Sequence, residues 1–316
     1  MRVLLAGATG AIGGPLIRGL KQQGHAVYGL VRSADSTPLL AELGAEAVIG
    51  DALDAASVRA AIARVHPDAV INELTSLPRH YTPAEMKAGA ERDARVRKEG
   101  NVNLLANMRE SGVRRYILQS SGLWYAPGSG LADESSPLAV DASPGVAAGV
   151  RTYVELESTA FRASGIDCAA MRYGFFYGPG TWYTKADDMG EQVRRQQVPI
   201  VGAGQGVWSF VHIEDAASAT VAALDGAPGA YNIVDDKPSR QRNWLPAFAS
   251  FCGAPQPLQI TEQEALTAFG ADSVYYATRL RGASNQKARH ELNFRPRPLE
   301  WLREGKSPEM KNMTAI

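Results

Sequence analysis

The chain has 316 residues, 45% of them hydrophobic, with 33 basic and 33 acidic side chains. That length supports about two domains, or one large α/β unit with an appendage, and the balanced charge offers no basic stripe to nucleic acid or an anionic membrane. Two cysteines without CxxC spacing, Cys168 and Cys252, exclude a disulfide framework, and no apolar run approaches the ~18 residues of a membrane span.

Val3 to Ala6 read as a short buried strand. Gly7, Gly10 and Gly13 follow at G-x-x-G-x-x-G spacing, and Ile12, Leu16 and Leu20 then recur every four residues, the period of a helix. Strand, glycine-rich turn and helix open a dinucleotide-binding βαβ unit. Gly7 allows the tight turn, Gly10 lets a pyrophosphate approach the backbone, and Gly13 lets helix and strand pack closely. Thr9, Ala11 and Ile12 share that turn, and the helix N-terminus faces the anion. Strands continue at 26–31, 46–49, 68–72, 113–119 and 167–173, and helices lie near 11–23, 37–43, 55–64, 84–109 and 147–164. The alternation predicts an α/β fold with a doubly wound parallel sheet and its ligand at the strands' C-terminal ends.

The densest charge run, Arg92 to Lys98, has acids interleaved and reads as a solvated helix face. The stretch from Pro127 to Pro144, rich in Gly, Ser, Ala and Pro, reads as a mobile loop over the site. Cys168 lies in an apolar run and reads as core. After Tyr173 the texture changes: Gly, Pro and aromatics cluster at 174–183, then come a short strand around 207–213, a helix around 214–224 and a strand at 230–234. Residues 1–173, with 207–236 returning, form the expected nucleotide domain; 174–206 and 237–316 form a smaller substrate lobe. The five histidines have no ligand spacing, so no metal is expected. The N-terminal apolar residues belong to the first strand rather than to a cleavable signal, which predicts a cytoplasmic protein.

Six segments, GATGAIGG at 7–14, GD at 50–51, RRYILQSS at 114–121, RYGFFYGPG at 172–180, FVHIEDAASA at 210–219 and SNQKARHEL at 284–292, resemble the extended short-chain dehydrogenase/reductase family. These are the NAD(P)-dependent epimerases, dehydratases and reductases. The resemblance implies a Rossmann sheet with a C-terminal substrate lobe. An acid ending the second strand would favour NAD, but Arg32 and Ser33 stand there. A guanidinium suits a 2′-phosphate, so NADP is expected over NAD. The resemblance also implies that Asp51 meets the adenine amino group beside Ala52. It puts Asn72, Leu74 and Thr75 at the nicotinamide-side ribose, and Tyr173, Phe175 and Phe176 along the cofactor site.

The family's catalytic set is Ser/Thr, Tyr and Lys, the last two spaced Y-x-x-x-K. Ser121 matches the serine, with Ser120 the near alternative, and Tyr153 matches the tyrosine. Glu157 stands in the lysine's place. A carboxylate raises a phenol pKa rather than lowering it. Three readings follow: Tyr153 as proton donor in carbonyl reduction; a cation from elsewhere, Arg151, Arg172 or Lys185; or redox chemistry weakened or lost. Phe175 and Trp208 stand near the places of a substrate-side Asn and Arg in sugar-nucleotide members. With Tyr125, Phe176, Tyr177, Trp182 and Tyr183 they predict an aromatic-lined pocket for a hydrophobic small molecule. His212 and Asp215 read as structural, and no G-x-S-x-G elbow supports a hydrolase. The expected activity is an NADP-dependent carbonyl reductase or alcohol dehydrogenase. Its rivals are an epimerase or dehydratase recycling bound cofactor, and a non-catalytic NADP-binding protein. Family members often dimerise through the helices here at 84–109 and 147–164.

Overall fold

A computed structural model describes residues 1–302; the last part of the expected lobe, 303–316, lies outside them. Strands β1 (Arg2–Ala6), β2 (Ala26–Val31), β3 (Glu46–Ile49), β4 (Ala69–Asn72), β5 (Arg115–Ser121) and β6 (Asp167–Tyr173) join a seventh, Gly229–Ile233. Their spatial order is β3-β2-β1-β4-β5-β6 and then Gly229–Ile233, every neighbour parallel. The order reverses between β1 and β4, and the crevice for a ligand opens there.

The strands are apolar on both faces because both are covered. Val3 and Leu5 of β1 face one core with Leu16, Ile17 and Leu20 of α1 (Gly13–Gln22), Leu40 of α2 (Thr37–Glu42) and Ala216 of the helix Ile213–Ala222. Leu4 and Ala6 face the other, with Val58 and Ile62 of α3 (Ala55–Val65), Leu104 and Met108 of α4 (Pro83–Glu110) and Leu156 of α5 (Pro144–Arg162). Local signals set the helix starts: Asp54 accepts the Ala56 N–H, and Thr82, followed by Pro83, accepts the Glu85 N–H. Cys168 is buried in the second core, and burial pushes its thiol up to about 12.

A third core, largely aromatic, gathers Phe175, Tyr177, Tyr183, Trp208, Phe210, Trp244, Phe248 and Trp301. Phe175–Tyr177 pairs with Phe210–His212, and Val207–Trp208 with Ser239–Arg240. The chain therefore rejoins the sheet core after Phe210, at Val211 and Ile213, rather than at 207. The loop from Pro127 to Pro144 is tethered: Glu134 accepts the Asn232 N–H at 2.7 Å, and Arg281 donates to the carbonyls of Ser129 and Gly130. No described helix is long and apolar enough to cross a membrane.

Candidate active site

The glycine turn is fixed by sterics. Gly7 has φ +89°, and an ideal Cβ there would stand 2.4 Å from the Glu73 carbonyl oxygen; at Gly13 it would stand 2.0 Å from that of Ala8. Gly10 N–H bonds the Gly7 carbonyl and Gly13 N–H that of Gly10, each at 2.9 Å. Ile12 is buried, while Thr9, Gly10 and Ala11 form the exposed rim. The α1 N-terminus has no side-chain cap and no acid in its first turn, so its N–H groups are open to an anion. The turn thus fits a dinucleotide pyrophosphate. Gly13→Ala should destabilise the fold by about 1–3 kcal/mol through overpacking against backbone and abolish dinucleotide binding, read by thermal unfolding and fluorescence titration.

Arg32 is exposed at the end of β2 and makes no hydrogen bond or ion pair among the described residues. Ser33 is committed locally: its Oγ accepts the Asp35 N–H at 3.2 Å and donates to the Asp35 carboxylate at 2.8 Å. At the end of β3, Asp51 Oδ1 accepts the Leu53 N–H at 2.9 Å. Ala52 is buried, its carbonyl held by Asn103. These residues share one edge, beyond the C-terminal ends of β1, β2 and β3.

The end of β4 departs from expectation. Asn72 is a buried strut: Nδ2 donates to the Tyr116 hydroxyl at 2.7 Å and Oδ1 accepts the Leu74 N–H at 3.1 Å. Leu74 packs on Gly100 of α4, and Thr75 is half-buried. The neighbour that reasoning from sequence passed over is Glu73. Its carboxyl is buried, accepts the Tyr173 hydroxyl at 2.8 Å, and keeps Oε2 without a partner among the described residues. Burial pushes it up to about 8, against the Tyr173 bond and the Arg97 charge. Tyr173 therefore commits its hydroxyl to Glu73 and Thr220, and Phe176 packs on the Tyr173 ring.

Ser121 ends β5 with its Oγ accepting the Leu123 N–H at 3.3 Å. Glu157 must be corrected. It is 6% exposed and gripped by Arg172, 7% exposed, whose Nε and Nη2 donate to the two carboxylate oxygens at 2.8 and 2.6 Å. Ser120 Oγ donates to Oε1 at 2.6 Å. Both oxygens are thus committed to buried partners, which leaves Glu157 without the open carboxylate expected of it. The cation candidates fall with it: Arg172 is bound to Glu157, Arg151 reaches only the Val140 carbonyl, and Lys185 lies on the Phe251 ring.

One turn earlier the same face of α5 carries Tyr153 and then Gly149. An ideal Cβ on Gly149 would meet the Trp124 ring at 2.9 Å, so that indole fills the space a side chain there would need. Tyr153 is half-buried between Trp124 (centroids 5.7 Å apart) and the Arg97 guanidinium (5.1 Å from its ring). Burial raises its pKa; Arg97 opposes this, and Asp93 and Glu73 add to it. The phenol is therefore neutral at ordinary pH, a donor rather than a base.

The aromatic side chains expected to line a substrate pocket are mostly core. Tyr125 is 0% exposed, its hydroxyl donating to Asn232 and accepting from Arg172. Tyr177 packs on His212 and Trp301, and Phe175 stacks on Trp208 at 4.4 Å inside the third core. These four are core, not ligand surface. Trp182 stays half-buried, stacked on Tyr81 at 4.7 Å with Nε1 donating to the Arg79 carbonyl, and Phe176 is half-buried against Tyr173. Trp124 and Tyr276, joined by a 3.0 Å hydrogen bond, complete the wall. Burial and the neighbouring hydroxyls of Tyr81 and Tyr153 push Tyr276 well above the usual phenol range.

A glycine cradle at the switch point of a doubly wound sheet, with partly buried aromatic side chains beyond it, defines a nicotinamide-dependent enzyme of the short-chain dehydrogenase/reductase type. The chain belongs to the NAD dependent epimerase/dehydratase family, whose model matches residues 3–234. It is 38% identical over 304 residues to a 3-diazoavenalumate denitrifying reductase from a Streptomyces species, covering 95% of this chain and 98% of that one. It is 27% identical to a 2-alkyl-3-oxoalkanoate reductase from Stenotrophomonas maltophilia, covering 81% and 77%. The fold matches a Thermus thermophilus UDP-glucose 4-epimerase in complex with NAD at TM-score 0.72 and 22% identity, covering 95% and 96%. A Streptomyces venezuelae dTDP-glucose 4,6-dehydratase with NAD bound matches at 0.73 and 21%, covering 95% and 93%.

Proposed function

We propose that this protein is an NADPH-dependent reductase that removes the diazo group from an aromatic small molecule. The carrying observation is the face of α5 beside Trp124: Gly149 under that indole, a neutral Tyr153, and, among the described residues, no free lysine or carboxylate on that helix face. Nothing there is arranged to deprotonate an alcohol, and the 38% identical relative is named for a diazo substrate. The bound nicotinamide supplies a hydride. At an arenediazonium carbon a C–H bond forms, the C–N bond breaks with its electron pair going to nitrogen, and N2 leaves; no oxygen needs a proton. Trp124, Tyr276, Tyr81 and Trp182 would supply aromatic surface to such a ring and its positive charge.

The test is NADPH oxidation with a 15N-labelled arenediazonium, following absorbance and labelled N2 above the protein-free rate. One N2 per NADPH supports the reading; no acceleration overturns it. A second reading, reduction of a ketone with Tyr153 as proton donor, is favoured by the neutral phenol and by the oxoalkanoate reductase relative.

We assign the NADP preference to Arg32. Arg32→Glu should weaken NADPH about 10–100-fold, the worth of charge-assisted hydrogen bonds to a phosphate, and leave NADH unchanged or tighter; equal losses for both would refute the clamp. The same reading places the protein in the cytoplasm as a homodimer through α4 and α5, where Val102, Val154 and Phe161 stand exposed.

A further inference from the structure

The charge run at Arg92–Lys98 contains one residue that is not solvated. Arg97 is 4% exposed, although its neighbours Arg95 and Lys98 lie outside, paired with Glu99 and Glu155. Its Nε donates to Asp93 and its Nη1 to Gln119 of β5, both at 2.7 Å, and its Cζ lies over the Tyr153 ring, 5.1 Å from the centroid. Nη2 makes no hydrogen bond among the described residues and is not sealed from solvent. A buried guanidinium with an open edge is costly unless an acceptor arrives.

The surroundings say where that edge lies. Asp93 uses its second oxygen to hold the Ser76 N–H at 2.6 Å, and Arg92 Nε holds the Ser76 hydroxyl at 2.8 Å. Both tie the segment after β4 to α4. Gln119 is near the end of β5, and Glu73, at the end of β4, lies within reach of the Arg97 charge. Arg97 therefore sits beyond the ends of β4 and β5. The adenosine half of a dinucleotide lies across β1–β3, on the other side of the switch point, so its second half crosses here.

We propose that Arg97 holds the nicotinamide-side ribose of the cofactor, donating from Nη2 to its hydroxyl oxygens. This rests on the nicotinamide-cofactor reading above. The cation comes from α4, because the described part of α5 presents none to the cleft, and as an arginine it keeps its charge at any working pH. Asp93 and Gln119 fix two of its three nitrogens, so the third is pre-aimed.

The experiment compares wild type, Arg97→Gln and Arg97→Lys by calorimetric titration with NADPH and with 2′,5′-ADP, which lacks the nicotinamide ribose. Arg97→Gln should weaken NADPH about tenfold or more, as loss of a charged hydrogen bond does, and leave 2′,5′-ADP within about twofold by the same arithmetic. Arg97→Lys should recover part of the loss. Unchanged NADPH affinity overturns the proposal, including the case where only substrate KM rises, which would make Arg97 a substrate ligand. Equal weakening of both ligands also overturns it, showing a merely structural arginine. If wild type binds NADH instead, NADH and AMP replace the pair. If it binds no dinucleotide, the cofactor reading itself has failed.

Discussion

Glu157→Ala should cost about 3–5 kcal/mol of folding stability, because it leaves the Arg172 guanidinium buried and uncompensated. Arg172 spans β6, α5 and the tethered loop: it donates to both Glu157 oxygens, to the Tyr125 hydroxyl and to the Glu134 carbonyl. Burial works against its charge, and the Glu157 carboxylate more than makes up the difference. Arg172→Met should cost a similar amount by stranding the carboxylate with Ser120 alone. The double variant Glu157→Leu, Arg172→Met should recover much of the loss, since apolar replacement of a buried pair is often close to neutral. The measurement is a double-mutant cycle of denaturant unfolding, in which a large favourable coupling marks a structural pair. A catalytic Glu157 would give the opposite pattern: turnover lost in Glu157→Gln with stability kept.

The sheet was legible because its central strands are apolar on both faces and α3 and α4 carry their own start signals. Predicted and observed bounds agree within about three residues, the ordinary uncertainty of element ends. The glycine turn was legible for a different reason, since backbone collisions at Gly7 and Gly13 leave no alternative residue. The cleft was less legible because burial is a tertiary property. Arg97 differs from Arg95 only in which side of α4 it occupies. Tyr125 and Tyr177 look the same in sequence as Tyr81 and Tyr276, yet the first two are sealed in cores. The family's Y-x-x-x-K spacing invited an alignment of Tyr153 with the tyrosine and Glu157 with the lysine. The buried Arg172 pair shows that Glu157 lies beneath the cleft, and Gly149 and Tyr153 one turn higher are the pair that faces it.

Tyr153→Phe separates the two substrate readings by orders of magnitude. The substitution keeps the ring that Trp124 and Arg97 pack against and removes only the hydroxyl, which makes no hydrogen bond among the described residues. Folding should therefore be little affected. A ketone becomes an alkoxide as hydride arrives, and that oxygen needs a proton in the same step; losing a positioned donor costs about 10²–10⁴-fold in kcat. Displacement of N2 from a ring carbon has no such demand, so the diazo activity should fall by no more than severalfold. The pH profile adds an independent sign. Burial holds the Tyr153 phenol above its ordinary range, so a donor role predicts a ketone rate flat through neutral pH and falling only in strong alkali. Stopped-flow traces of NADPH oxidation by wild type and Tyr153→Phe, run with an arenediazonium and with a 3-oxoalkanoate, read all four cases. A 10²-fold or greater loss on the diazonium would show that the phenol takes part in nitrogen release and that the proton-free route is wrong.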